Sequence, residues 1–100
     1  MIARIWKGKT KLEHLEAYTE FMKARAIPDY KKTEGFLKLT SLRRADQEFA
    51  YFNLVTFWAD LEVIKNFAGI HFEKAKYYPE DDNYLVDFPE KVTHYEVFAE

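Results

Sequence analysis

Hydrophobic and polar positions along the chain predict six elements in the order strand, helix, strand, strand, helix, strand. Ile2–Lys7 alternates a bulky aliphatic set with Arg4 and Trp6 and reads as a first strand. Thr10-Lys11-Leu12-Glu13 has the form of a capping box, the threonine accepting from the backbone of Glu13 while the glutamate reaches back. Behind it Leu12, Leu15, Tyr18 or Thr19, Met22 and Ala26 recur at helical spacing, predicting a helix from about Lys11 to Ala26 that ends at Pro28. Phe36–Arg44 and Phe49–Trp58 read as two strands joined by the short polar hairpin connection Ala45-Asp46-Gln47-Glu48. Asp60 is placed to cap a second helix, Leu61–Ala68, which Gly69 closes. A further helical turn is expected over Phe72–Lys76 and a last strand over Val92–Phe98.

This order is that of a ferredoxin-like β-α-β-β-α-β subunit, an α+β fold with an antiparallel sheet. The strand at Phe49–Trp58 adds a constraint. Phe49, Tyr51, Val55 and Phe57 lie on one face and Phe52, Leu54 and Trp58 on the other, so both faces are apolar. Two helices cover one face of a four-stranded sheet. The other face calls for a second layer, and the chain has no residues left to supply it. A twofold homodimer whose sheets pack together is therefore expected.

Composition narrows the function classes. One hundred residues make a single domain, 1–100, and 48 % hydrophobic with 18 % aromatic residues make it globular. A net charge of −2 gives no basic surface for nucleic acid. With no cysteine there is no disulfide, thiolate nucleophile or sulfur-ligated metal, a usage that fits a reducing cytosol. No apolar run approaches the ~20 residues of a membrane span and the first residues lack a signal-peptide core, so a soluble cytoplasmic protein is expected.

The candidate chemistry gathers between Phe57 and Val97, where every group able to donate, accept or titrate stands beside a ring. His94 lies mid-strand and serves either as a base lining a pocket or as a structural histidine bonded to a neighbouring strand. His71 either points into the pocket mouth or caps a turn. Tyr77 and Tyr78 either orient a substrate oxygen or pack in the core. Arg4 and Trp6 share a face of the first strand and would suit a planar anion through charge and stacking. Asn53 is the one amide in an apolar strand, so it is either paired with its neighbours or aimed into a cavity. Phe67 reads as core packing or as a pocket wall. His14 reads as a surface residue. Glu80-Asp81-Asp82 reads as a solvated turn, since consecutive carboxylates diverge and no histidine lies at ligand spacing, and no metal site is predicted. No nucleophile–base pair or glycine-rich phosphate loop is visible.

Phe57-Trp58, the helix ending Phe67-Ala68-Gly69, Tyr77-Tyr78-Pro79-Glu80-Asp81 and His94-Tyr95-Glu96-Val97 resemble the antibiotic-biosynthesis-monooxygenase-like family of dimeric α+β barrel proteins. Ile27-Pro28-Asp29-Tyr30 followed by Gly35 is similar to a loop of one of its branches. The resemblance implies a homodimer with a pocket between helices and sheet in each subunit. It implies oxygenation of a small aromatic, phenolic or quinol molecule with no cofactor, the substrate carbanion reducing O₂ directly. Trp6, Arg4, Asn53, Phe67 and Tyr78 would bind the substrate, with His94, His71 and Tyr77 as the catalytic candidates. A second branch of the family degrades haem with an Asn on the first strand, a Trp late in the second helix and a His after it. The corresponding places here hold Trp6 or Lys7, Phe67, and Lys76 or Tyr77, so haem degradation is disfavoured, although His71 or His94 could ligate iron and haem binding stays a third reading. The alternative function is a ligand-binding or stress-associated dimer without catalysis, and the lack of a catalytic constellation speaks for it.

Overall fold

The computed structural model describes all residues from Met1 to Glu100. Its elements are β1 (Ile2–Lys11), α1 (Leu15–Phe21), α2 (Ile27–Lys31), β2 (Phe36–Ala45), β3 (Phe49–Trp58), α3 (Leu61–Ala68) and β4 (Thr93–Glu96). The four strands form one antiparallel sheet in the order β2-β3-β1-β4, the ferredoxin-like arrangement expected from the sequence. No helix is long and apolar enough to cross a membrane.

β1 continues through Lys11, four residues past its predicted end, because Lys7 to Lys11 each have a partner on β3. The predicted capping box does not form. Thr10 is a buried strand residue, and its hydroxyl donates to the carbonyl of Lys11. A 3₁₀ turn over Leu12–His14 leads into α1 instead. Pro28 does not stop the helical arm. The backbone widens into a π-helical turn at Met22–Ala26 and resumes as α2, with Pro28 in its first turn. A proline lacks the N–H an interior position would donate, and its ring collides with the carbonyl four residues back. A wider turn just upstream accommodates both.

The hairpin is held by Asp46, whose carboxylate accepts from the backbone N–H groups of Glu48 (2.9 Å) and Phe49 (2.7 Å). Asp60 caps α3 as predicted, accepting from Val63 N at 3.0 Å. Residues after Gly69 do not form the expected helical turn over Phe72–Lys76. They run as an irregular strap, tied down by Ala75 N to Glu90 O and Val92 N to Glu73 O, both 2.9 Å. A 3₁₀ turn at Pro79–Asn83 sits within this strap, and β4 shortens to four residues.

The core lies between the sheet and the helical layer. Phe52, Leu54 and Trp58 of β3 and Trp6 of β1 meet Tyr18, Met22, Tyr30, Ile64 and Phe67. Trp58 is fully buried, and its indole N–H donates to Thr56 Oγ1 at 2.9 Å. The opposite face of β3 carries Tyr51, Val55 and Phe57, all half-buried, with exposed Leu42 and Tyr95 beside them. One side of the sheet is thus covered and the other is not.

Gly35, between α2 and β2, adopts φ +90°, and a Cβ there would strike the Val63 side chain of α3. Gly69 adopts φ +83° but has open space around it. Gly35→Ala should therefore lose about 2–3 kcal/mol, through strain and collision together. Gly69→Ala should lose only about 1 kcal/mol. Urea denaturation of the two variants checks the difference.

Candidate functional site

The helical layer and the sheet enclose a small cavity between Trp6 and Leu54 on the sheet, Met22 and Tyr30 on the helical arm, and Phe67 and Tyr78. Its volume is about 10 Å³, room for a single water molecule. The guest-sized hollow expected from the sequence is therefore closed in this structure. Trp6 stands where it does because its ring lies over Gly8, where a Cβ would come within 2.5 Å of the indole. Tyr30 stacks on Phe67 with ring centroids 4.1 Å apart. The π-helical turn supplies Met22 and Ala26 to the cavity wall, so the irregular backbone of the helical arm coincides with the site.

One end of the cavity is acidic. Asp81, expected on a solvated turn, is 1 % exposed. Its carboxylate accepts from the Tyr18 hydroxyl and from Tyr78 N, each at 2.7 Å. Consecutive acidic residues do diverge: Asp82 faces solvent while the 3₁₀ turn carries Asp81 inward. A second tyrosine–carboxylate pair, Tyr78 to Asp29 at 2.7 Å, joins the strap to α2. Burial and the bond to Asp81 push the Tyr18 phenol far above its usual range. Burial and the bond to Asp29 do the same for Tyr78. Asp29 is correspondingly held below the usual carboxylate range, first by Tyr78 and then by Lys32.

Two cations flank Phe67, and Lys76 Nζ is also 3.9 Å from Asp29 Oδ2. Lys76 Nζ lies 4.1 Å from the centre of the Phe67 ring, and the Arg4 carbon Cζ lies 5.6 Å from it. Lys76 lines the cavity; its pKa is lowered, chiefly by burial. Arg4 projects from β1 under the strap and is fully buried. One of its nitrogens, Nη2, donates to the carbonyl of Lys74 at 3.3 Å, while Nε and Nη1 have no partner. Burial lowers the Arg4 pKa, and the neighbouring Tyr30 hydroxyl opposes that shift without closing a well-aligned hydrogen bond. Trp6 Nε1 and His94 Nε2 are likewise buried and unpaired.

The candidates read from the sequence are thus distributed unevenly. Trp6, Phe67 and Tyr78 line the cavity, and Arg4 packs directly behind Phe67. His94 faces Arg4 across the β1–β4 pair and sits edge-on to Phe72 at 5.3 Å, outside the cavity wall. Burial and the Arg4 charge lower its pKa. Tyr77 packs against Trp6, and its hydroxyl donates to the Pro89 carbonyl at 2.5 Å. His71 is exposed. Asn53 projects from the uncovered face of the sheet, away from the cavity. Tyr18, Tyr30, Lys76 and Asp81 were missed. The first two looked like ordinary helical core positions, and only tertiary packing turns Lys76 and Asp81 inward.

No family model and no curated protein sequence matches the chain. Solved structures do match in fold. A Bacillus cereus protein assigned as an antibiotic biosynthesis monooxygenase is 16 % identical, with a TM-score of 0.66 over 99 % of this chain and 94 % of that one. MhuD from Mycobacterium tuberculosis, a haem degrader holding two haems in its active site, is 19 % identical, with a TM-score of 0.60 over 100 % of this chain and 98 % of that one. A MhuD mutant with two manganese protoporphyrin IX molecules per active site gives a TM-score of 0.61 at 19 % identity, over 100 % and 97 %. These structures share the fold proposed from the sequence. They also correct the expectation that the fold's chemistry runs without a cofactor, because two of the three hold a metalloporphyrin. The residues here do not fit that group as they stand. No histidine lines the cavity.

The buried tyrosines set an alkaline limit on stability. In the unfolded chain tyrosines ionise near pH 10, whereas Tyr18, Tyr30 and Tyr78 resist ionisation in the folded one. Above pH 10 the folded state thus binds more protons, so their contribution is fully present below that pH and is lost as pH rises further. Tyrosinate absorbance should show these rings ionising only as the chain unfolds. Tyr18→Phe, which strips a donor from buried Asp81, should lower stability by about 2 kcal/mol at pH 7.

Proposed function

We propose that this chain acts as a homodimer that binds a small phenolic or quinol molecule between its helical layer and its sheet and catalyses its oxygenation. The observation carrying this reading is the make-up of the cleft: aromatic walls, a buried carboxylate–tyrosine pair, Lys76 in the wall and Arg4 behind Phe67. The likeness in fold to an antibiotic biosynthesis monooxygenase supports it.

In this reading Trp6, Phe67 and Tyr78 hold the ring by stacking and shape. His94 accepts the phenolic proton at Nε2, which is buried, unpaired and, with its pKa lowered, neutral at pH 7. Arg4 and Lys76 stabilise the negative charge that develops on the substrate oxygen. The proton passes from the hydroxyl to His94 Nε2 and leaves a phenolate whose charge these cations offset. Tyr77 and His71 lack comparable support, the first being engaged with Pro89 and the second facing solvent. Because the cavity is closed, entry requires the strap around Phe72–Lys76 to swing outward. Gly69, unobstructed at one end of that stretch, supplies a flexible joint.

The uncovered face of the sheet supports the dimer, since half-buried Tyr51, Val55 and Phe57 form an apolar stripe with Leu42 and Tyr95. Sedimentation should give twice the 12.0 kDa chain mass, and Val55→Lys should shift it toward the single chain. Oxygen uptake with hydroquinone and catechol tests the chemistry. Turnover is expected, falling about 10²-fold in His94→Gln with the circular dichroism spectrum unchanged. Ring binding without oxygen uptake would reduce the protein to a ligand-binding dimer. A Soret shift on adding haem that disappears in His94→Ala would replace the phenol reading with haem binding.

A further inference from the structure

Arg4 is the least compensated group in the molecule. It is 0 % exposed, and neither Nε nor Nη1 meets an acceptor. Its one hydrogen bond, to the Lys74 carbonyl, is long at 3.3 Å. No carboxylate forms an ion pair with it. Its ionisable neighbours are Tyr30, a phenol held protonated by burial, His94, opposite it on β4, and the like-signed Lys76, which lies on the same Phe67 ring and is itself 3.9 Å from Asp29. A buried guanidinium without a counter-charge is strongly unfavourable for folding. A structural role would be served better by a methionine or leucine of similar volume.

We propose that Arg4 is an anion-binding residue and that the ligand of the cleft is an aromatic ring bearing a carboxylate. This inference rests on the cleft reading given above and adds the ligand's charge and functional group to it. When the strap stretch Phe72–Lys76 lifts, the weak bond to the Lys74 carbonyl opens and the guanidinium faces the cleft. A carboxylate then takes its place and accepts from Arg4 in charge-assisted bonds. Lys76 adds a second positive charge beside the same ring, and the unpaired Trp6 Nε1, on the next inward position of β1, is a further free donor. A neutral ring leaves these donors unpaired. The Asp81–Tyr18 pair in the cavity wall repels an anion, so the carboxylate turns away from it, toward β1.

The test compares 2-hydroxybenzoate with 2-hydroxybenzamide, which has the same shape and no charge, by calorimetric titration of the wild-type protein. The acid should bind at least about tenfold more tightly than the amide. In Arg4→Met that preference should fall below about threefold while the amide still binds. Without ligand, Arg4→Met should melt at or above the wild-type temperature, because the variant removes an unpaired buried charge. Equal binding of acid and amide by the wild type overturns the proposal and leaves the aromatic cleft intact. Failure of both probes to bind overturns the cleft reading along with it. A preference for the acid that survives in Arg4→Met, or a clear fall in its melting temperature, identifies Arg4 as structural and also overturns the proposal.

Discussion

Ten consecutive residue pairs, from Ile2 opposite Trp58 to Lys11 opposite Phe49, hold β1 against β3, and β4 continues the same sheet with His94 opposite Arg4. Side chains alternate between faces along a strand, so this register alone decides that Arg4 and Trp6 point toward the helices with Phe52, Leu54 and Trp58. A slip of one residue would put Lys7 and Ile5 inside and turn the arginine to the outer face. The helical layer then has only one way to cover the apolar face. It buries Tyr18, Tyr30, Ile64 and Phe67 against it, and the arginine is sealed in with them.

That enclosure shapes everything around the cleft. The strap after α3 closes over Arg4, is pinned at Pro79–Asn83 through Asp81 to Tyr18 and through Tyr78 to Asp29, and is held elsewhere by two backbone bonds to the stretch before β4. The acidic end is fully satisfied, each oxygen of Asp81 having a donor at 2.7 Å. The cationic end is not, since Arg4, Trp6 and His94 all keep unpaired nitrogens. The two ends differ because the carboxylate sits where a turn offers its own N–H groups, whereas β1 spends its backbone on neighbouring strands and has no acceptors to spare. Unpaired buried nitrogens concentrated on one strand pair are what distinguish this interior from ordinary core.

Much of the architecture was legible because it rests on local patterns. β3 and α3 matched their predicted bounds, and β2 did so to one residue, since alternation, a polar hairpin and a capping aspartate act within a few residues. The helical arm was misjudged at both ends. Thr10 looks like a cap until strand pairing claims it, and Pro28 looks like a stop until a π turn makes room for its ring. The strap was least legible, because its aromatic and acidic residues have no period and take their positions from contacts with the sheet and helices.

The amino-acid order by itself determined the element sequence, the two-sided apolar central strand, and hence a ferredoxin-like sheet with one face left uncovered, all consequences of side-chain spacing. Only the tertiary structure decided which chemistry those elements enclose. It turned Asp81 inward and Asn53 outward, left His71 in solvent, and buried Arg4 without a counter-ion. Burial and pairing depend on which distant segments meet, and no local run of residues encodes that meeting.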